Sequence, residues 1–379
     1  MKYSEFVKDI IENGIVMGKP VSGFFELTSR CNLRCKMCYI CGQEDHKSLM
    51  GRELSAVQWI DLGRQARDAG LLYLTLTGGE ILMRKDFMEI YEALSKMGLL
   101  ITLYTNATLI NDDILQLLTK YPPLRVSISV YGASPDTYGK VTGHPEAYEK
   151  TIKNIRKLKA AGIILQLKTT VIKYNKDDFQ QLAELARTMG LNMGIVNYIS
   201  PRREGIGTDP LANRLEPMDL AKYEKDANSC MKRLYELYGK EKEDALIVDD
   251  IMSDDNLESF RKIADMSTVE KTAFRCTAGK CAFWLSWEGK LFPCGLLSEV
   301  YSEPLKKGFD EAWVDLRELC RGIPSCKECE SCSSYDKCMI CPARRKLETG
   351  SFEKSAPYLC DYTKARDVVL HPADILQKI

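Results

Sequence analysis

The stretch "CNLRCKMCYICG" (31–42) follows the apolar run "VSGFFELT" (21–28) and contains four of the fifteen cysteines of the chain. Cysteines this close together can form disulfides, bind zinc, act as nucleophiles or hold an iron–sulfur cluster. The other cysteines are unevenly placed, because Cys230 stands alone and ten lie between Cys276 and Cys360. The sequence therefore predicts a cysteine-poor body followed by a cysteine-dense C-terminal part.

The composition narrows the role of these cysteines. The 379-residue chain is 45% hydrophobic and 28% charged, which is typical of a soluble globular protein. Lys+Arg and Asp+Glu both total 53, so no net charge favours nucleic acid or an anionic membrane, and we expect neither as a partner. Neither a membrane-spanning apolar run nor a signal peptide is evident, which predicts a cytoplasmic protein with reduced thiols. Metal ligands or catalytic groups are then expected rather than a disulfide framework.

The cysteine-poor body alternates strand-like and helix-like segments. The helical segments end at Gly or Pro and lead into β-branched runs, which predicts an α/β fold with a parallel sheet. Six such units are too few for a closed eight-stranded barrel. We therefore expect a partial (β/α)6 barrel with its site at the carboxyl ends of the strands. The predicted strands are 22–27, 71–77, 99–105, 125–132, 165–172 and 191–199.

Four regions are expected along the chain. A short amphipathic helix occupies 1–20, and the partial barrel occupies 21–215. A helical linker with a polar connector follows at 216–271, and the cysteine-rich domain occupies 272–379.

Cys31, Cys35 and Cys38 have C-x3-C-x2-C spacing. A structural zinc site uses four ligands, whereas three cysteines on one loop can hold three irons of a [4Fe–4S] cube and leave the fourth iron open. In this spacing the sequence resembles the radical S-adenosylmethionine (SAM) superfamily, whose members carry it after the first strand of a partial (β/α)6 barrel. The resemblance implies that these three cysteines are catalytic. It also implies that SAM chelates the open iron and is cleaved to a 5′-deoxyadenosyl radical.

The segment "TGGE" (77–80) ends the second predicted strand, where the family has a Gly-Gly-Glu loop at the SAM amino group. Gly78 and Gly79 would let the backbone approach the ligand closely. Glu80 would pair with the ammonium.

Further SAM contacts are implied at the next strand ends. Asn106 ends the third strand, and Ser127 and Ser129 lie on the fourth, positions that in the family contact the methionine carboxylate and the ribose. For each of them alone, an ordinary strand residue is the competing interpretation. Met37 and Tyr39 are expected to pack over the cluster or the adenine.

The C-terminal cysteines resemble the SPASM domain. Gly289 follows Cys276 at the family's spacing and precedes Cys294 by four intervening residues, while the second block has x2 instead of x3 before Cys341. The resemblance implies two auxiliary [4Fe–4S] clusters, and so three clusters in total. The implied ligands are Cys276, Cys281, Cys294 and Cys341 for the first auxiliary cluster, and Cys329, Cys332, Cys338 and Cys360 for the second.

The remaining cysteines have no place in these motifs. Cys41 is expected to be a free thiol beside the cluster loop, and Cys230 a core residue of an amphipathic helix. Cys320 is left without a role, and Cys326 is the best alternative ligand. A pair of zinc ribbons is the rival interpretation of the C-terminal block, although its internal loop is short for zinc.

These resemblances favour an enzyme that abstracts hydrogen from a ribosomally made peptide and oxidises it to a thioether or carbon–carbon crosslink. Formylglycine formation, as in anaerobic sulfatase maturases, is an alternative, but Gly295 stands where that subfamily has an Asp base. Peptide epimerisation and oxidation of a small metabolite also remain open. The intact SAM motifs argue against a binding protein that has kept the fold but lost the chemistry.

The expected partners are the peptide substrate and an electron donor of the flavodoxin or ferredoxin type. The sequence before Cys31 is too short for the winged-helix module that many peptide maturases carry. We therefore expect a separate leader-recognition protein or direct binding of the leader by the barrel.

Overall fold

The fold is organised around one eight-stranded sheet. This computed structural model describes residues 3–40, 46–203, 209–238 and 272–370. The order of the strands is β6-β5-β4-β3-β2-β1-β7-β8, and every neighbouring pair is parallel except β7 and β8. The strands are β1 (Ser22–Thr28), β2 (Tyr73–Gly78), β3 (Leu100–Thr105), β4 (Arg125–Ser129), β5 (Leu165–Thr170), β6 (Asn192–Val196), β7 (Ala282–Leu285) and β8 (Leu291–Phe292).

Helices connect the parallel strands. Those of the body are α1 (Tyr3–Met17), α2 (His46–Met50), α3 (Ala56–Ala69), α4 (Phe87–Lys96), α5 (Asp112–Lys120), α6 (Pro135–Thr142), α7 (Ala147–Ala160), α8 (Phe179–Thr188) and α9 (Pro217–Tyr238). The C-terminal part adds α10 (Pro304–Lys307), α11 (Phe309–Arg321), α12 (Lys327–Glu330), α13 (Pro342–Thr349) and α14 (Pro357–Leu370). The predicted α/β class with six parallel strands is confirmed.

The two faces of the sheet have different chemistry. On β1, Phe25 packs against Trp59 of α3 with ring centroids 5.1 Å apart, so this face is covered by helices. Because side chains alternate along a strand, Phe24 and Glu26 point to the opposite, inner face. The helix-covered face forms the hydrophobic core, and the inner face carries the polar and aromatic residues described below.

The helix α6 was not predicted, although its sequence carries the usual start and stop signals. Ser134 caps it by accepting a hydrogen bond from Thr137 N, and Pro135 occupies the first turn. Gly143 ends it at φ 78°. The end of this helix contacts the loop after β1 that carries the first cysteines, since Thr142 O accepts a hydrogen bond from Arg34 N.

The C-terminal part is joined to the body along several elements. Strand β7 pairs with β1 in parallel, with Ser22 opposite Ala282. Helix α14 packs on α9, where Arg366 forms an ion pair with Glu224 and Tyr362 donates a hydrogen bond to the same carboxylate. The C-terminal part therefore extends the sheet of the body at its β1 edge. None of the helices in the described ranges is both long and apolar enough to span a bilayer.

Candidate functional site

The cysteine loop (residues 29–40) leaves the carboxyl end of β1. Its backbone is held at three points: Arg34 N donates to Thr142 O at 2.9 Å, Lys36 N donates to Val141 O at 3.0 Å, and Arg203 N donates to Tyr39 O at 3.2 Å. Arg34 also donates through Nη1 to Cys31 O at 2.6 Å. The loop is thus fixed by α6 and by the segment after β6.

The three thiols of this loop lie close together, with Cys31 buried and Cys35 and Cys38 partly exposed. Burial raises the pKa of Cys35 well above its ordinary value, and the nearby thiolates of Cys31 and Cys38 raise it further. Such thiols ionise together only if a cation compensates their charge. The donor set therefore fits an iron–sulfur cluster. Among the described residues, no group of three or more His, Cys, Asp or Glu side chains is arranged to hold a single metal ion.

Glu80 lies beside the cysteine loop and is completely buried. Its carboxylate accepts hydrogen bonds from Asn106 N at 2.7 Å, Thr105 Oγ1 at 2.7 Å and Leu82 N at 3.1 Å. Burial raises the pKa of Glu80, and these donors oppose that rise. A buried carboxylate that is oriented by three neutral donors fits a cationic ligand group such as an ammonium.

Gly78 and Gly79 bring β2 against the start of the cysteine loop. A Cβ on Gly79 would lie 2.2 Å from Arg30 O, and one on Gly78 would lie 2.3 Å from Thr28 O. Gly79 N donates to Thr28 O at 2.7 Å and Glu80 N donates to Arg30 O at 2.8 Å. The close approach that requires these glycines is therefore to the backbone that leads into Cys31.

Asn106 follows β3 and reaches the same loop. Its Nδ2 donates to Asn32 Oδ1 at 2.9 Å and lies 4.0 Å from the sulfur of Cys31. The next residue, Ala107, has φ 59°, a left-handed conformation that costs a non-glycine residue about 1–2 kcal/mol. This conformation is held by two hydrogen bonds, since Ala107 N donates to Thr105 Oγ1 at 2.9 Å and Asn154 Nδ2 donates to Ala107 O at 2.8 Å.

Ser127 and Ser129 lie on the inner face of β4 at different depths. Ser127 is buried and donates to Gln166 Oε1 at 3.1 Å, so its hydroxyl is engaged within the sheet. Ser129 is partly exposed and hydrogen-bonds the phenol of Tyr131, whose pKa is raised by burial and by the charge of Cys35. Ser129 is thus nearer the cysteine loop than Ser127 is.

Met37 and Tyr39 take different positions. Met37 is buried in a small cluster with Val141, Ile172 and Ile199, and Cys35 packs against it. Burial raises the pKa of Tyr39, which lies near Arg203 and near the charges of Cys38 and Cys294. Tyr39 therefore lies where the cysteine loop comes near Cys294 of the C-terminal part.

The inner face of the sheet carries an aromatic cluster with one cation. Phe24 stacks on Trp284 with ring centroids 4.9 Å apart and meets the edge of Tyr104 at 6.4 Å. Lys168 Nζ donates to Tyr104 Oη at 2.7 Å and lies 4.2 Å from its ring centroid. This surface combines apolar area with a positive charge.

A buried ion pair between Glu26 and Arg203 lies beside this aromatic cluster. Glu26 accepts both guanidinium bonds of Arg203 at 2.9 Å and the indole N–H of Trp284 at 2.6 Å. Arg203 also donates to Gly295 O at 3.3 Å. This bidentate pair ties the segment after β6 to β1 and to the loop after β8. Sequence reasoning missed it, although Glu26 is the one charged residue in "SGFFELT".

The C-terminal cysteines form two groups. In the first group, burial raises the pKa of Cys294, and the charges of Cys341 and Cys276 raise it further. Burial, with the charge of Cys341, raises the pKa of Cys276 to about 11. These three thiols, from separate segments, thus converge at one place. Cys281 is buried beside Cys276, and burial followed by that charge raises its pKa to about 12.

The second group contains more thiols than one cube needs. Burial and then contacts with Cys326 raise the pKa of Cys329 to about 12. The pKa of Cys360 is raised by burial and by the charges of Cys338 and Cys332. Five cysteines therefore lie near one another where four ligands are predicted, and Cys326 is the additional one.

Cys230 is partly buried and packs against the main hydrophobic core. Cys41 lies outside the described residues.

The chain is similar to proteins of known family. Residues 25–186 match the model of the Radical SAM superfamily. Over 351 residues the chain is 28% identical to the AdoMet-dependent heme synthase of Methanosarcina barkeri, covering 89% of this chain and 95% of that protein. Over 286 residues it is 26% identical to the antilisterial bacteriocin subtilosin biosynthesis protein AlbA of Bacillus subtilis, covering 75% of this chain and 56% of AlbA.

The fold is also similar to that of Streptococcus suis SuiB bound to its precursor peptide SuiA. The TM-score is 0.67 at 17% identity, with 92% of this chain and 78% of SuiB covered. At this identity the likeness concerns the fold.

Proposed function

Because the chain is a radical SAM enzyme, we propose that it oxidises a residue of a ribosomally made peptide to form a thioether or carbon–carbon crosslink. The observation that carries this proposal is that the C-terminal thiols gather in two groups, the first of which includes Cys294 near Tyr39 of the cysteine loop. Oxidation by hydrogen abstraction removes two electrons in all, and the second electron needs an acceptor away from the SAM site. Relatives named for bacteriocin biosynthesis support a peptide as the substrate.

Cys31, Cys35 and Cys38 would hold the cluster of the radical site, as family membership implies for one [4Fe–4S] cluster with SAM. Together, cluster and SAM supply one-electron hydrogen-atom abstraction. Glu80 would bind the ammonium of SAM, because its carboxylate is buried and already aimed by Asn106 N.

Two further clusters are proposed in the C-terminal part. Thiolates from Cys276, Cys294 and Cys341 would hold the first together with a fourth ligand. The second would be held by Cys329, Cys332, Cys338 and Cys360. Such fully ligated clusters supply electron acceptance, not substrate binding.

The protein's own residues would shape the substrate chamber. Glu26 and Arg203 fix the indole of Trp284, which forms one wall together with Phe24. Lys168 places a positive charge on the same face, where a carboxylate of the substrate would find a partner.

The formylglycine alternative meets a steric obstacle. A side chain at Gly295 would begin 2.9 Å from the ring of Trp284. The position where the sulfatase maturases have their Asp base is therefore filled by an indole in this chain. This argues against that reaction.

A small-molecule oxidation remains the second candidate, on the strength of one observation. The chain spans 95% of the AdoMet-dependent heme synthase but 56% of AlbA. Lys168 suits a carboxylate-bearing heme precursor as well as a peptide.

One experiment separates the candidates. The anaerobically reconstituted enzyme is incubated with SAM, a reductant and either a short Cys-rich peptide encoded beside its gene or a heme precursor. A peptide that loses two hydrogens per modification, detected by mass spectrometry, supports the proposal. An unchanged peptide mass in ordinary water, together with incorporation of deuterium when the reaction is run in D2O, would replace it by epimerisation. Heme absorbance with an unmodified peptide would replace it by the second candidate.

A further inference from the structure

Cys320 lies outside both cysteine motifs and is fully buried. It is on helix α11, seven residues after Trp313 and four after Leu316, so the three share one face of the helix. Trp313 packs edge-on against Phe283 of β7 with ring centroids 6.2 Å apart. The thiol of Cys320 therefore enters the protein interior on the side where α11 covers the C-terminal strands.

The sulfur of Cys320 lies against the turn that separates Cys276 from Cys281. In this turn, Gly279 has φ 67°, and a Cβ there would lie 2.4 Å from Cys320 Sγ. The same Cβ would lie 3.7 Å from Cβ of Pro293, the neighbour of Cys294. Three segments thus meet at one point: the turn after Cys276, the residues before Cys294, and the end of α11.

Cys281 occupies a different environment. Its carbonyl accepts a hydrogen bond from Ser22 N at 3.1 Å, which extends the pairing of β7 with β1 and fixes its backbone. Its side chain packs in an apolar cluster with Val7, Ile11 and Ile15 of α1. A Cβ on Gly14 of the same helix would lie 3.3 Å from Cβ of Cys281. These contacts are those of a small hydrophobic residue that anchors α1.

We propose that Cys320, and not Cys281, is the fourth thiolate of the first auxiliary cluster, together with Cys276, Cys294 and Cys341. The inference rests on the proposed function in one respect, because it requires that cluster to exist.

The assignment has a structural consequence. Each end of α11 is then anchored, by Trp313 Nε1 donating to Gly18 O at 2.7 Å near one end and by the cluster at the other. Cys281 then has only a packing role, and its replacement by a residue of similar size should leave the cluster and the fold intact.

The test uses the full-length chain with Cys31, Cys35 and Cys38 replaced by Ala, so that only auxiliary clusters contribute to the spectra. In this background C320S and C281S are compared, with C230S as a matched control at a thiol outside both groups. Each protein is reconstituted anaerobically, its iron is counted, and the dithionite-reduced form is examined by electron paramagnetic resonance (EPR). A background protein with two cubes holds roughly eight irons.

C320S is expected to lose about four irons or to show a shifted signal for one cluster, while C281S and C230S keep both the iron and the spectrum. Because a serine hydroxyl is nearly isosteric, circular dichroism of the iron-free forms separates loss of a ligand from loss of the fold. A loss of iron in C281S, or an unchanged spectrum in C320S, would overturn the assignment and leave the proposed function intact. Absence of auxiliary iron from the background protein itself would overturn both.

Discussion

The substitution Glu80→Gln tests the proposed contact between the Glu80 carboxylate and the SAM ammonium. In the free enzyme, Oε1 of Glu80 accepts from Thr105 Oγ1 and Leu82 N, and Oε2 accepts from Asn106 N. A glutamine can keep the two bonds at Oε1 by placing its carbonyl there. Its amide then faces Asn106 N, so one hydrogen bond is lost while the burial of a charge is no longer required. The two effects oppose each other, and we expect a small change in the free energy of unfolding.

The main effect of E80Q should be a weaker affinity for SAM. A hydrogen bond to a charged group contributes about 1.5–3 kcal/mol, and about 1.4 kcal/mol corresponds to a factor of ten in affinity. E80Q should therefore bind SAM about ten- to a hundredfold more weakly, measured by isothermal titration calorimetry on anaerobic protein with its iron content matched to the parent.

A matched control is available at Glu224. Its carboxylate is also buried and also accepts three hydrogen bonds, but it lies between α9 and α14, away from the cysteine loop. E224Q should lower the temperature of unfolding and leave SAM affinity unchanged. If E80Q bound SAM as tightly as the parent, the carboxylate would be a structural cap of the loop after β2, and its role toward the ammonium would be refuted.

Three further predictions follow from the same site. Replacing Cys31, Cys35 and Cys38 with Ala should remove about four irons and abolish SAM cleavage while the auxiliary iron remains; continued release of 5′-deoxyadenosine would contradict the assignment. Gly79→Val should displace the cysteine loop, because even a Cβ at this position would lie 2.2 Å from the backbone oxygen of Arg30. We expect the variant to lose the absorbance of the cluster; a normal absorbance spectrum would show that the loop can accommodate the side chain. Burial raises the pKa of Glu80, so the SAM-free protein should lose stability as pH rises from the ordinary carboxyl range through that raised pKa. In thermal scans, E80Q should remove this fall of the unfolding temperature with pH. The same pH dependence in the parent and in E80Q would refute this prediction.

The sequence predicted the body of the fold because each strand and helix there is specified locally. Hydrophobic periodicity and glycine ends predict the six βα units, and the strands observed agree with them to within a few residues. Strand β7 could not be predicted in this way. Its place beside β1 joins Ala282 to Ser22, and no local pattern encodes a pairing between residues so distant in the chain.

The candidate site was predicted where a motif carries the chemistry. The cysteine spacing and the "TGGE" segment both lead to one place in the structure, since Glu80 N bonds to Arg30 O beside Cys31. The pair formed by Glu26 and Arg203 was missed because its members are remote in sequence and belong to no motif. Cys320 was left without a role for the same reason: only the folded chain brings α11 against the turn at Gly279.

The central claim is that hydrogen abstraction is coupled to electron transfer through the C-terminal clusters. The most direct measurement is the ratio of modified peptide to 5′-deoxyadenosine, determined by mass spectrometry and chromatography for the parent and for Cys294→Ala. Cys294 is chosen because its thiol lies with Cys276 and Cys341 and is near Tyr39. We predict a ratio near one for the parent, whereas the variant continues to form 5′-deoxyadenosine with a sharp fall in oxidised peptide. An unchanged ratio in the variant would contradict the claim, because the second electron would then leave the substrate by another route.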